Sequence, residues 1–388
     1  MKNQTNSKRE NGGTSGGHGI DDQIRKDLLL DIEDVHVHFD TRDGNVRAVN
    51  GINLKLYKGE TLGLVGESGC GKSQSARAIL NMVPPPGRIV RGKVTLYTEQ
   101  QNDPLEITAF DPEDITIRRV RGNDIAMIFQ EPMASLSPVH TIGNQIVEAI
   151  RLHDAVEAKV ARDRAADLLG LVGIPDPKRR LDNYAFQLSG GMRQRAMIAM
   201  ALACNPSVLI ADEPTTALDV TIQAQILQLL HRLQEEMGMS ILLITHNLSV
   251  VAATAHRVAV MYMGQIVEET DTERLFSDPK HPYTDGLLRS LPKLNDSDGS
   301  DGSELWAIKG SVPDPIARLS GCPFHPRCEK YMPGTCDRIE PALTEVSDGH
   351  KVACLLYDDV VHKTKSAASP VADSEPLDAT ESRKENPE

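Results

Sequence analysis

Four groups of residues in this chain have the types and spacing to handle phosphate, water or metal. The first is Gly66-Glu67-Ser68-Gly69-Cys70-Gly71-Lys72-Ser73, of the form G-x-x-x-x-G-K-S. Glycines at 66, 69 and 71 let backbone N–H groups turn inward with no Cβ in the way. Lys72 can bring a point charge to the β- and γ-phosphates of a nucleotide, and Ser73 a hydroxyl to Mg²⁺. The second is Asp212-Glu213, which ends the apolar run Val208-Leu209-Ile210-Ala211. Asp212 can reach Mg²⁺ through water, while Glu213 can polarise an attacking water. The third, Leu188-Ser189-Gly190-Gly191-Met192, sets a serine and two glycines at the start of a helix, where N–H groups bind anions. The fourth is a set of thiols.

Four of the six cysteines, Cys322, Cys328, Cys336 and Cys354, follow the spacing C-x5-C-x7-C-x17-C. In a reducing compartment such a set is rarely a disulfide framework. Four thiolates suit a cubane iron–sulfur cluster or tetrahedral zinc, and unmetallated thiols are the third reading. The spacing lacks the paired C-x2-C knuckles of common zinc sites, which weighs against zinc. Cys70 and Cys204 read as small packing residues.

The elements that must hold these groups are legible in outline. Leu30–Phe39 alternates as a strand, Asp43-Gly44 is a hairpin signal, and Ala48–Tyr57 is a second strand. Thr61–Val65 is a buried strand feeding the glycine loop, and Gln74–Met82 a helix stopped by Pro84-Pro85-Pro86-Gly87. Arg88–Tyr97 reads as an edge strand and Thr98–Pro112 as a polar inserted loop. A short strand runs from Asp124 to Phe129 and ends at Gln130. Two or three helices fit Thr141–Val172 before a break at Pro175 and Pro177. Helices follow at Gly191–Cys204 and Thr221–Met237, the latter with Ile222, Ile226, Leu229, Leu230, Leu233 and Met237 on one face. Strands at Ser207–Ala211 and Ser240–Ile244, then a hairpin of Val258–Met263 and Gln265–Glu269, complete an α/β pattern with a mostly parallel, mixed sheet.

At 388 residues with 40% hydrophobic and 4% aromatic content, the chain can fill a sizeable aliphatic core. Its net charge of −13 disfavours unspecific nucleic-acid binding, which depends on clustered Lys and Arg. No run of eighteen apolar residues is present, so no membrane-crossing helix is expected. Residues 1–28 and 360–388 have the composition of disordered tails, and Asp296–Gly302 that of a flexible link.

Taken in chain order, these groups resemble the ATP-binding subunits of ABC transporters. Gly66–Ser73 is similar to the Walker A loop, Gln130 to the Q-loop, and Leu188–Met192 to the signature motif. Val208–Glu213 is similar to Walker B with its catalytic glutamate, Thr216–Asp219 to the D-loop, and His246 to the switch histidine. The signature ends in Met192 where the family usually has Gln; the Ser189 hydroxyl and the glycine amides are unaffected. The resemblance implies ATP and Mg²⁺ as ligands. It further implies that two such domains would close head to tail, so that Ser189, Gly190, Gly191 and Asp219 would complete a neighbour's site. By the same resemblance Phe39 would stack on adenine, Gln130 would join the Mg²⁺ site to the membrane partner, and His246 would touch the γ-phosphate.

Phe129-Gln130-Glu131-Pro132-Met133, Ser135-Leu136-Ser137-Pro138 and His281-Pro282-Tyr283-Thr284 further resemble the peptide and nickel uptake group, which carries a C-terminal extension. His281 itself reads as a helix start, with Pro282 in the first turn and Tyr283 packing. The cysteine run resembles the cluster-binding extension of some dipeptide transporter ATPases, which favours [4Fe-4S]. The implied domains are an ABC ATPase over 29–278, with a helical subdomain at about 131–188, and an extension over 279–359. The implied activity is ATP-driven import of di- or oligopeptides, with nickel or oligosaccharides as near alternatives. Implied partners are two transmembrane permease subunits, a second ATPase subunit (different or identical) and an extracytoplasmic solute-binding protein, and the place is the cytoplasmic face of the membrane. A soluble ABC ATPase acting on DNA or ribosomes is the alternative of another class. It would carry tandem cassettes, a long coiled-coil insertion or basic patches. A pure iron–sulfur module with a degenerate ATPase conflicts with the intact Lys72, Asp212, Glu213 and His246.

Overall fold

The structure, a computed structural model, describes residues 27–98, 103–131, 135–216, 218–291, 307–317 and 319–358. The expected tails, apart from Asp27 and Leu28, and the expected link at 296–302 lie outside the described residues. Leu28 already belongs to a strand.

Strands β1 (Leu28–Thr41) and β2 (Gly44–Tyr57) form a long antiparallel hairpin, and β3 (Thr61–Val65) leads through the glycine loop into α1 (Lys72–Ile79). Strand β4 (Gly87–Leu96) pairs with β1 on one side and with the two-residue β5 (Leu105–Glu106) on the other, so it is not an edge. The supposed polar loop is therefore partly structured. Ile107 is fully buried, and its apolar side chain draws the 105–109 segment against the sheet. Helix α2 (Ile115–Asn123) and β6 (Ile125–Ile128) follow.

The helical layer comprises α3 (Ile142–His153), α4 (Ala158–Leu171), the short α5 (Pro177–Arg180) and α6 (Gly190–Ala201). Pro177 opens α5 where the sequence reading had a break; the first helical position needs no N–H donor. Strand β7 (Val208–Asp212), α7 (Val220–Met237) and β8 (Ser240–Thr245) return to the sheet. Next come α8 (Leu248–Thr254), the hairpin β9 (Arg257–Tyr262) and β10 (Gln265–Asp271), α9 (Thr272–Ser277), α10 (Pro282–Arg289), and a last hairpin, β11 (Thr344–Ser347) and β12 (His350–Val352).

These strands make two sheets, ordered β2-β1-β4-β5 and β11-β12-β10-β9-β3-β8-β7-β6. The centre of the larger sheet, β9-β3-β8-β7-β6, is parallel, and its outer strands are antiparallel. Strand β7 is apolar up to its terminal Asp212 because both of its faces are covered. Leu209 and Ala211 pack on the helical layer, while Val208 and Ile210 pack on the side that holds α1 and the smaller sheet. A third core, built on Tyr262, Tyr283, Phe324 and Leu355, lies where the C-terminal segments cover β9 and β10. The final hairpin hydrogen-bonds to β10, Glu268 opposite Val352, so the chain's last described strands extend the same sheet.

Candidate functional site

Parallel pairing fixes which residues meet. In register, Val65 of β3 lies opposite Thr245 of β8, Asp212 of β7 opposite Ile244, and Ile128 of β6 opposite Ala211. The glycine loop, Asp212-Glu213, His246 and Gln130 thus all leave the sheet at its carboxyl edge, where open α/β sheets bind ligands.

The glycine loop needs its glycines for close approach. A Cβ on Gly66 would lie 2.2 Å from the Met261 carbonyl oxygen, and one on Gly71, with φ of +109°, 2.1 Å from that of Ala48. Lys72 is buried and folded onto its own loop, donating from Nζ to the carbonyls of Gly66 at 2.8 Å and Glu67 at 3.0 Å. Burial pushes the Asp212 carboxyl above the ordinary aspartate range, against the opposing influence of the Ser73 hydroxyl. Its Oδ1 is buried with no hydrogen-bond partner, an acceptor facing this loop that fits a hydrated Mg²⁺. Cys70 is buried and Cys204 half-buried against the core, both as packing residues.

Glu213 is the centre of a polar knot. Its Oε1 is 3.0 Å from His246 Nδ1, and its Oε2 accepts from the Thr216 hydroxyl at 2.7 Å and from Gln130 Nε2 at 3.2 Å. Burial opposes its ionisation, but the bonds from Thr216 and His246 outweigh it and hold the carboxyl below the usual glutamate range. The carboxylate is therefore ionised and fixed in place to orient a water; the same donors weaken it as a base, so position rather than basicity is what the knot supplies. The sequence pattern put Thr216 in a loop motif without seeing this contact; a hydroxyl three residues beyond a strand-end glutamate was the available signal.

Ser189, Gly190, Gly191 and Asp219 stand apart from this knot. Ser189 caps α6, its hydroxyl accepting from Met192 N at 3.4 Å, and Asp219 caps α7, accepting from Ile222 N at 2.9 Å. Ser189, Gly190 and Asp219 are exposed. Phe39 is half-buried, pairs with Val46 and Gly87, and lies so close over Gly87 that a Cβ there would be 2.5 Å from its ring. Ala48, two residues along β2 from Val46, presents its carbonyl to Gly71.

The four extension thiols are unpaired and line one small cavity with Phe324, His325 and Leu355. Burial raises each of Cys322, Cys328 and Cys354, to about 11 for Cys322 and about 12 for Cys354. Among the described residues, no group of three or more His, Cys, Asp or Glu is drawn together into a metal-holding arrangement. The expected cluster ligands thus share a cavity without forming an assembled site. His281 caps α10 through Nδ1, which accepts from Tyr283 N at 3.0 Å, as its sequence context implied. Two residues that touch the glycine loop were missed: Tyr283, whose hydroxyl accepts from Glu67 N at 2.9 Å, and Arg327, paired with the Glu67 carboxylate. Both lie inside motifs the sequence had picked out for other reasons.

Residues 49–216 match the ABC transporter family, and residues 267–336 match the oligopeptide/dipeptide transporter C-terminal region. The dipeptide transport ATP-binding protein DppD of Bacillus subtilis (strain 168) is 47% identical over 331 residues, 85% of this chain and 95% of the relative. Its counterpart in Escherichia coli (strain K12) is 47% identical over 329 residues, 84% of this chain and 96% of the relative. Among solved structures, a dimeric post-hydrolysis ATP-binding cassette bound to ADP and Pi is 27% identical, with a TM-score of 0.55 over 63% of this chain and 99% of that one. The structure of cbiO1 from Clostridium perfringens, part of an ABC transporter complex, is 25% identical with a TM-score of 0.53, over 65% of this chain and 92% of that one.

Proposed function

The chain belongs to the ABC transporter ATP-binding proteins, in the branch that carries the oligopeptide/dipeptide C-terminal region, and on that premise we propose that it hydrolyses ATP to power the import of di- or oligopeptides. One observation carries the reading: Gln130, Thr216 and His246 converge on the Glu213 carboxylate at the sheet edge from which the phosphate loop also emerges. Soluble DNA- or ribosome-directed ABC ATPases, and nickel or oligosaccharide import, are not favoured by the peptide-transport relatives.

In this reading Gly66, Ser68, Gly69 and Gly71 turn backbone amides toward the phosphates, and Lys72 exchanges its loop carbonyls for the β- and γ-phosphates. Ser73, Asp212 and Gln130 are the residues that would hold Mg²⁺, which when bound would supply charge neutralisation to the phosphates. Glu213 accepts the proton of the attacking water, and His246, already bonded to it, steadies the γ-phosphate. Electrostatic positioning supplies most of phosphoryl-transfer catalysis, so the fixed knot matters more than any single strong base. Phe39 stacks on adenine. The exposed tip at Ser189, Gly190 and Gly191, with Asp219 beside it, reaches the nucleotide of a second ATPase subunit, in keeping with the dimeric state of the solved cassette.

Among the described residues no helix is long and apolar enough to cross a membrane. The proposed home is the cytoplasmic face, held by two permease subunits fed by an extracytoplasmic binding protein, with no nucleic acid bound. A groove lined by Met82, Met127, Phe129, Met197 and Met200 beside Gln130 supports permease docking, since apolar adaptable side chains suit a partner helix. The domain division proposed is an ATPase over 29–278, with its helical subdomain near 131–188, and an extension over 279–359.

For the thiol cavity we propose a structural or sensing [4Fe-4S] cluster on Cys322, Cys328, Cys336 and Cys354. Four soft donors on one cavity fit that chemistry, and the spacing weighs against zinc. Protein purified without oxygen should be brown and contain iron and sulfide; colourless protein with zinc, or with no metal, rejects the cluster. The transport reading is tested in proteoliposomes containing the chain, its permeases and its sister ATPase. ATP-dependent uptake of a labelled dipeptide, abolished by Lys72→Ala, is expected; hydrolysis indifferent to permeases and peptide would overturn it.

A further inference from the structure

We propose that the C-terminal extension is a working part of the nucleotide site, with Arg327 as a positioning residue that neutralises a carboxylate carried by the phosphate loop itself. The inference rests on the ATP-binding role assigned above to Gly66–Ser73. Glu67 places a negative charge inside a loop whose task is to attract phosphate. Arg327 answers that charge from 260 residues away: Nη1 donates to Glu67 Oε2 at 2.7 Å and Nη2 to Oε1 at 3.0 Å. This two-pronged pairing is the strong, geometrically specific form of the arginine–carboxylate contact.

The guanidinium is built in. Its side chain is 4% exposed, against 28% for Glu67, so the pair is not an ordinary surface salt bridge. Nε donates to the Lys309 carbonyl at 3.2 Å and Nη1 also reaches the Tyr262 hydroxyl at 3.4 Å, so every donor nitrogen of Arg327 is engaged. The Tyr262 ring lies 5.9 Å from the guanidinium carbon and packs against Tyr283 and Phe324. Tyr283 in turn accepts the Glu67 N–H at 2.9 Å, and Lys72 binds the Glu67 carbonyl at 3.0 Å. Three polar groups of one loop residue are therefore held by three side chains, two of them beyond residue 280. A loop anchored this way keeps its amides aimed at the phosphates while its carboxylate is turned aside and compensated.

The bland alternative is that the pair only fastens the extension to the core. The two readings differ in what rescues a lesion. If Arg327 acts by neutralising Glu67, removing the carboxylate should repair the loss of the arginine; if it only fastens, removing both partners should not.

Nucleotide titration of the full chain with Mg-ATP tests this. Arg327→Ala is expected to weaken ATP binding about tenfold, as an uncompensated carboxylate beside the phosphates would. Glu67→Gln in that background should restore affinity to within about twofold of the unmodified chain. In the assembled transporter KM for ATP should rise while kcat at saturation holds. Unchanged affinity in Arg327→Ala, or a loss that Glu67→Gln fails to repair, overturns the proposal. Should Arg327→Ala not fold, Glu67→Gln alone decides: affinity should tighten about threefold, and unchanged or weaker binding counts against neutralisation. If the unmodified chain binds no ATP, the functional reading fails first, which separates the two failures.

Discussion

The carboxyl edge of the sheet and the junction beneath the extension are built on opposite plans. At the edge, polar groups face outward and wait: His246 is 61% exposed, and Ser189 and Asp219 stand open at helix starts. At the junction, Tyr262 and Tyr283 are fully buried, their ring centroids 4.7 Å apart, and Phe324 lies edge-on to Tyr262 at 5.3 Å. Nearby, Glu268 and His350, both wholly buried, meet at 2.7 Å, and the same carboxylate accepts from the backbone of Lys280 and His281. The edge is open to a nucleotide and a partner; the junction is closed and packed. Chemistry and stability should therefore come apart on mutation.

The largest effect is expected at the edge. Glu213→Gln preserves the shape of the knot but removes the group that takes the water's proton. Hydrolysis by the assembled transporter should fall about 1000-fold, while ATP binding and the unfolding midpoint stay where they were. Phosphate release, nucleotide titration and a thermal melt on one preparation check all three. Unchanged turnover removes Glu213 from its role, and a large drop in the melt would mean that the edge carries stability after all.

Phe324→Ala reverses the pattern. Its ring fills the space between Tyr262, Tyr283 and His281, so truncation leaves a cavity among rigid aromatic neighbours. A loss of about 3 kcal/mol in unfolding free energy is expected. Urea denaturation measures it, and a loss below about 1 kcal/mol would show that the junction relaxes and is not the close-packed unit described.

The same contrast explains what was legible in the sequence. Edge residues are bound to backbone geometry at fixed short spacing: a glycine loop after β3, an acid pair closing β7, a histidine after β8. Such patterns are local, and the alternation of strands and helices was enough to bring them to one end of a sheet. Nothing local records that Arg327 would meet Glu67 or that His350 would meet Glu268, since these pairs depend on how the extension folds back over β9 and β10. Strand β12 was unreadable for a related reason. His350-Lys351-Val352 is too short for a periodic signal and gains its hydrogen bonds only from β10. The 98–112 stretch misled in the other direction: its polar start hides Leu105, Ile107 and Phe110, which pack on the core.

The smallest expected effect separates the two plans by pH. His281 is wholly buried, and burial holds its imidazole down at about 3, far below the ordinary 6.5, so it is neutral in the folded chain. Its Nδ1 is already committed as acceptor to the Tyr283 N–H, and its buried Nε2 has no partner. A second proton would disrupt the cap and leave a charge without a counter-ion, because the Glu268 carboxylate is turned to backbone N–H groups and to His350. In the unfolded chain the same ring takes up a proton as pH falls through 6.5. The unfolded state thus binds more protons in the window from 6.5 down to about 3, and stability must fall as the solution is acidified across it. Between pH 7 and 5.5 this one group contributes a loss of about 1 kcal/mol. Asparagine can accept the same backbone N–H and does not titrate, so His281→Asn should keep the cap and flatten the profile by that amount. Urea midpoints of both proteins at the two pH values make the comparison. Equal slopes would mean that the imidazole finds water or an acceptor in the folded chain, and that the junction is not a dry, closed region in contrast to the open edge.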